Sequence, residues 1–440
     1  MKMKKMRLSG VIAIGIFLLS AASVFAQVKE ITFVTGSWWE TQLQDFKQAN
    51  GYDNLGKFTD ETGIKVAMET LPFEDLFHNL EVRLSSKDPK LDVFAIDSPL
   101  TASYAARGYT LPVGSNLSKA ELDKFFPATL QIATYKNQLW NVPFENSSQV
   151  MYINKDLFKK AGIALPSSDV KSRLTWEQVV EYGKKIQALN NPGENKVWGL
   201  LFDQASRPYQ MLALPQSLGA GSGVSPDGLT VKGYLDNPGW LKAMQWWFDV
   251  HNTLKISPKG VSPAETAGQF SAGNIGMFVG GTWNIPAFIE AKTAGRLNFD
   301  IVPHPYFKGG KPVTGTNSWH LAVSPYSQKQ DAAWKFIKYM TSDKIMADRF
   351  VSIGQLVANK VMSDVINKDP KYKEFPWVAY KTIVTYELAN TAVPRPATPF
   401  WLEMEDAVGK AFEDVRNGAD PKQALDRTVR ILESAAQKYR

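Results

Sequence analysis

The chain has 440 residues, 44% of them hydrophobic and 21% charged, a composition that folds into a globular protein rather than a disordered one. At ~150 residues per domain, the length suits two large lobes as well as three smaller units. With no cysteine, disulfide scaffolds, thiolate zinc sites, iron–sulfur clusters, Cys nucleophiles and lipid anchors on an N-terminal cysteine are all excluded.

Part of the net charge of +7 sits in the first residues. Lys2, Lys4, Lys5 and Arg7 open the chain, residues 11–19 form an apolar run, and Val24-Phe25-Ala26 has a small-x-small cleavage pattern. The run is shorter than the ~20 residues that span a bilayer, so residues 1–26 are predicted to be a secretory signal cleaved near Ala26. Its loss removes four basic residues and leaves +3 over 414 residues, too weak a field to imply a nucleic-acid partner. The mature chain is predicted to be exported to the periplasm without a lipid anchor.

In chain order, residues 30–35 alternate apolar and polar β-branched side chains and predict a strand that stops at Gly36-Ser37. A short helix is predicted over 42–50 and a strand over 63–68. Next comes a helix over 73–84, with Phe73, Leu76, Phe77, Leu80 and Leu84 on one stripe. Residues 91–96 predict a more buried strand. Strands alternating with helices of this length predict a parallel sheet with crossover helices. Further on, strands are predicted at 150–153, 275–279, 299–302 and 319–323, and helices at 155–161, 240–251, 331–340 and 421–439. Thr175 and Gln178 form a capping box opening another helix. No repeat and no low-complexity linker separates these units, which favours lobes interleaved in sequence.

Motifs for catalysis are missing. Residues 51–58 nearly spell a phosphate loop, but Phe58 stands where Ser or Thr should hold magnesium and no apolar strand leads in. Neither a His-Glu-x-x-His, a calcium loop nor a Gly-x-Ser-x-Gly elbow occurs, and the four histidines are scattered. No catalytic residue, metal ligand or cofactor is assigned.

Several segments, in order, carry a family likeness. Phe58-Thr59-Asp60-Glu61-Thr62-Gly63-Ile64-Lys65-Val66 is followed by Leu91-Asp92-Val93-Phe94 and by Tyr152-Ile153-Asn154-Lys155-Asp156-Leu157-Phe158. Thr175-Trp176-Glu177 follows, then Phe270-Ser271-Ala272-Gly273-Asn274-Ile275-Gly276-Met277 with Gly281-Thr282-Trp283. From Ile31 to the C-terminus the chain resembles the family 1 extracellular solute-binding proteins of bacterial ABC importers, which include maltose- and glycerol-phosphate-binding proteins. The resemblance implies the two-lobed periplasmic binding protein fold: each lobe a mostly parallel α/β sheet flanked by helices, the two joined by a three-crossing hinge. Crossings placed near Pro143, Pro303 and Gly354 give one lobe from 27–143 plus 304–353 and another from 144–303 plus 354–440.

The implied function is capture of a mono- or oligosaccharide between closing lobes and delivery to the ABC permease by a monomeric, non-enzymatic protein. Sugars are held by aromatic faces and by planar polar groups shared between neighbouring hydroxyls, and 13 Trp and 15 Tyr supply the faces. Open parallel sheets place ligands at the carboxyl ends of their strands. That rule selects Trp38, Trp39 and Glu40 after the first strand, Asp97 and Ser98 after the third, and Asp203 after an apparent strand ending at Phe202. Asn146 lies beside the first proposed crossing. The resemblance adds Trp283 and Asn284 behind a glycine pair, Asn317 and Trp319 near the hinge, and Arg395 in a proline-rich loop. A polyol, glycerol-phosphate or sugar-acid ligand is favoured if Arg395 and a lysine face the cleft together. A secreted carbohydrate hydrolase would need two carboxyls ~5–9.5 Å apart. A sensor feeding a chemoreceptor would share the binding chemistry.

Overall fold

The computed structural model describes residues 28–193, 196–205, 207–316 and 318–440. The predicted signal with its cleavage near Ala26, and the candidate Asn317, lie outside the described residues.

Among the described residues nine strands form two main sheets. The first runs in the order Lys65–Leu71, Glu30–Gly36, Val93–Asp97, Trp319–Val323, Val142–Pro143. The second runs Phe299–Val302, Gln149–Asn154, Ile275–Gly281, Trp198–Phe202. Alternate side chains of a strand point to opposite faces, and here they feed two different cores. Phe94 and Ile96 join one cluster while Val93 and Ala95 join the other. Met151 and Ile153 part from Val150 and Tyr152 in the same way. Sheets buried on both faces need helices on both sides, which explains why these strands read as nearly continuous apolar runs.

In each sheet one strand opposes the rest. Trp319–Val323 is antiparallel to both its neighbours, and so is Gln149–Asn154. Both are the strands that follow a passage from the other sheet. A chain arriving from across the gap enters at the edge facing that gap and must run away from it, whereas the others run toward it.

The passages lie side by side. Residues 144–148 make the first, and Ser148 bridges to Thr316 while Glu145 bridges to Val357. Thr314–Thr316 runs parallel to Ala392–Pro394. Before that, Tyr306 still bridges to Thr175 and the Lys311 amide donates to the Ser217 carbonyl at 2.9 Å. Pairing with the first sheet starts only at Trp319. The C-terminal helices Trp401–Arg416 and Pro421–Ala436 pack on each other and on helix Pro238–Phe248.

Local signals explain the helix starts. The Gln178 amide donates to the Thr175 hydroxyl at 3.3 Å, and the Thr175 amide donates to Gln178 Oε1 at 2.8 Å, completing the capping box. Asn154 caps helix Lys155–Lys160 by accepting from the Asp156 and Leu157 amides. One start differs from the sequence reading. The helix predicted from residue 42 spans Trp38–Asn50, so Trp38, Trp39 and Glu40 occupy its first turn instead of a loop. No described helix is long and apolar enough to cross a membrane.

Candidate functional site

Strand ends converge on a cleft of about 520 Å³ between the sheets. The first sheet contributes Trp38 after Glu30–Gly36, Phe73 after Lys65–Leu71, Asp97 at the end of Val93–Asp97, and Trp319 at the start of the reversed strand. The second contributes Gln204, Arg207 and Tyr209 after Trp198–Phe202, and Trp283 after Ile275–Gly281. The passages supply Glu145, Ser147, Ser318 and Arg395. The placement follows from topology, since carboxyl ends of strands leave a crevice where loops diverge.

Two tryptophans arrive by the same corner. Gly36 and Gly281 each end a strand, and Trp38 and Trp283 stand two residues later. A Cβ on Gly36 would lie 1.7 Å from the Trp38 ring and one on Gly281 would lie 1.9 Å from the Trp283 ring. Only glycine leaves room for an indole folded back on the strand end. Trp38 then packs 4.7 Å from Trp319 and 6.0 Å from Phe73, centroid to centroid. Trp283 is held differently. Its Nε1 donates to Asp203 at 3.1 Å, the Asn284 amide donates to the same carboxylate oxygen at 2.8 Å, and the Thr266 hydroxyl donates to the other at 3.1 Å. Burial pushes the Asp203 carboxyl above its ordinary range, against the pull of these donors. Tyr209 stands 5.9 Å from Trp283, and its hydroxyl pairs with that of Ser147 at 2.6 Å. Burial raises this phenol to about 12.

The cleft also holds paired charges. Arg395 forks onto Asp97, with Nη1 to Oδ2 at 2.7 Å and Nη2 to Oδ1 at 2.5 Å. Its guanidinium sits 4.7 Å over the Tyr209 ring, and its buried Nε has no hydrogen-bond partner among the described residues. Arg207 reaches Asp97 at 3.1 Å from the opposite wall, donates through Nε to Glu405 at 3.1 Å, and covers the Phe73 ring at 4.6 Å. At the hinge, buried Glu145 accepts from Arg349 at 2.8 Å. Burial pushes this carboxyl up to about 7, with Arg349 pulling it back. Among the described residues no lysine lines the cleft, and no group of three or more His, Asp or Glu is placed to hold a metal ion.

The structure thus brings Trp38, Asp97, Trp283, Trp319 and Arg395 together on the cleft. Four other candidates sit behind it. Ser98 is buried and accepts from Arg395 at 3.5 Å. Asp203 and Asn284 fix Trp283 from below. Asn146 turns inward, accepting from the Thr316 hydroxyl at 3.0 Å. Two expectations need correction. Trp39 is fully buried, stacked on Phe144 at 5.1 Å with the Arg349 guanidinium 4.8 Å over its ring. Glu40 is exposed and accepts from the Thr70 hydroxyl, away from the cleft. The physical reason is the helix: its ~100° turn per residue sends consecutive side chains in different directions, so only Trp38 of the three meets the cleft. Sequence reasoning missed Phe73, Arg207 and Tyr209. The strand-end rule applied to 65–71 would have reached Phe73, and Arg207 lies five residues beyond the strand end where the rule selected Asp203. Tyr209 had no sequence signal.

Residues 39–347 match the family described as bacterial extracellular solute-binding protein. A probable ABC transporter-binding protein of Deinococcus radiodurans is 25% identical over 401 residues, covering 88% of this chain and 87% of its own. The mannitol-binding protein of Pseudomonas aeruginosa is 24% identical over 307 residues, 67% of each chain. A solute-binding protein of Thermotoga lettingae, solved with α-D-tagatose, superposes with a TM-score of 0.77 at 20% identity, covering 93% of this chain and 100% of that one. The two sheets, their reversed strands and the cleft between them are therefore the two-lobed fold of these proteins, and the chain belongs to the bacterial extracellular solute-binding proteins.

Proposed function

We propose that the protein is the periplasmic binding component of an ABC importer, closing two lobes over a neutral mono- or oligosaccharide or polyol and passing it unaltered to the membrane permease. The observation that carries this reading is the cleft itself, with Trp38 and Trp319 on one wall, Trp283 on the other and polar groups converging between them. Indole faces suit the C–H faces of a pyranose or a polyol chain, and the polar groups can satisfy its hydroxyls. The relatives support it, one being named for mannitol and one solved with tagatose. Lobe boundaries fall at the passages: near Pro143, between Pro303 and Trp319, and near Gly354. Closure draws its free energy from contacts that only the closed form makes. The condition that would favour a phosphorylated or acidic sugar, Arg395 beside a lysine, is not met among the described residues. A hydrolase would need a pair of carboxyls free to act, and of the three on the cleft lining, Asp45, Asp97 and Glu145, the last two each already serve a guanidinium.

A thermal-shift screen of sugars and polyols tests the reading, since a ligand at 100 times Kd stabilises the folded state by ~2.7 kcal/mol. Trp283→Ala should abolish the shift of whichever solute gives one, while the unliganded variant stays folded. An unliganded variant that unfolds would instead make Trp283 a core residue. Mass spectrometry should recover the solute unchanged; a transformed product would point to an enzyme.

A further inference from the structure

Both arginines facing the cleft are already engaged. Asp97 fills the fork of Arg395 and takes a third hydrogen bond from Arg207. Glu405, outside the cleft, takes the Arg207 Nε, while Trp401 Nε1 donates to its other oxygen at 3.1 Å and holds it in place. Arg207 comes from the second wall and Asp97 from the first, so the cluster spans the gap. An incoming carboxylate or phosphate would have to compete with Asp97 for both guanidinium groups, and displacing Asp97 would strand a buried charge without its partner. Asp45 on the cleft lining adds negative charge and further opposes an anion. A neutral polyol meets no such barrier, because it carries no charge to be repelled and needs only hydrogen bonds.

We infer that Asp97, backed by Glu405, determines specificity: by occupying Arg395 and Arg207 it restricts the cleft to uncharged, hydroxyl-rich solutes and rejects acidic and phosphorylated ones. This rests on reading the cleft as a carbohydrate site and names what that site excludes.

The test uses the full chain at low ionic strength in phosphate-free buffer, with inorganic phosphate and D-glucuronate as anionic probes and mannitol and D-tagatose as neutral ones. Wild type should show no melting shift with either anion at millimolar concentration. Asp97→Asn removes the negative charge between two guanidinium groups while keeping the side chain's shape, and by calorimetry it should bind both anions at least tenfold more tightly than wild type. Glu405→Gln removes one of the two carboxylate charges that hold Arg207 and should give a smaller gain of the same sign; it keeps the inference testable if the first variant fails to fold. Anion binding by wild type as tight as by the variants, or no gain in any variant that folds, overturns the inference. A wild type that no sugar or polyol shifts, while the variants still gain anion binding, sinks the carbohydrate reading and leaves the exclusion of anions standing.

Discussion

Trp38 and Trp283 leave their strands through matching corners, Gly36-Ser37-Trp38 and Gly281-Thr282-Trp283, and each indole lies against its glycine. Behind the corners the two walls diverge. Trp38 is wedged among rings, Trp319 at 4.7 Å and Phe73 at 6.0 Å. Trp283 is tied by its Nε1 to a buried carboxylate that three side chains share. Packing among rings draws mostly on hydrophobic burial, which is non-directional and tolerates small shifts, whereas a hydrogen bond to a buried acceptor fixes an orientation and is costly to break. One wall should adapt to solutes and the other should set their register.

The largest expected break is Asp203→Ala. It strands donors from Trp283, Asn284 and Thr266 at ~1–3 kcal/mol for each that stays unsatisfied, so urea denaturation should show a loss of about 3 kcal/mol and solute binding should vanish. A midpoint unchanged from wild type would show that water replaces the carboxylate and that the wall is not rigid. Next in size, Gly281→Ala and Gly36→Ala should each evict an indole, costing ~1–3 kcal/mol as overpacking does and at least tenfold in affinity. Equal losses at both would erase the difference between the corners; the larger loss is expected at Gly281, where the indole cannot move without giving up its acceptor. Trp283→Phe should weaken binding more than Trp38→Phe, by ~1 kcal/mol, the typical net worth of one hydrogen bond; calorimetry on both variants decides.

The smallest expected effect is on pH dependence. Burial raises the folded-state pKa of Asp203 above the unfolded value, so between the two the folded state binds more protons and stability falls as pH rises through that window. Asp203→Asn should flatten this part of the profile, and Trp38→Phe should leave it intact. The hinge gives a second reading of the same sign. Burial holds the Glu145 carboxyl up at about 7 in the folded protein, above its ordinary 4.5, so Glu145→Gln should flatten the decline in stability as pH rises between those values, seen by melting at stepped pH. An unchanged slope would mean that Glu145 stays ionised in the folded protein.

Much of the fold was legible because local chemistry and tertiary packing agreed. The strand at 319–323 and the capping box at Thr175 needed nothing beyond their own residues. The helix start at Trp38 was hidden because no side chain caps it; Ser37 makes no capping bond, and the turn is held by Trp39 in the core. The site was legible wherever a strand end announces it, as at Asp97. It was illegible where a residue matters through its partner. Arg207 lies 110 positions from Asp97, and Arg395 lies 298 from it, so no window of sequence contains the cluster.

The reversed strand of the first sheet sets an assembly order. Every strand of the second sheet has been made by residue 302, yet the first lacks its inner member until residue 323 arrives. Until then the flank of Val93–Asp97 stands open, an unsatisfied row of amides and carbonyls that invites foreign pairing. A chain cut before residue 319 should therefore keep one complete sheet, though without the C-terminal helices that pack beside it, and one sheet with an open, sticky flank, visible as uneven amide exchange. Of the strands that wall the cleft, the one bearing Trp319 is laid down last.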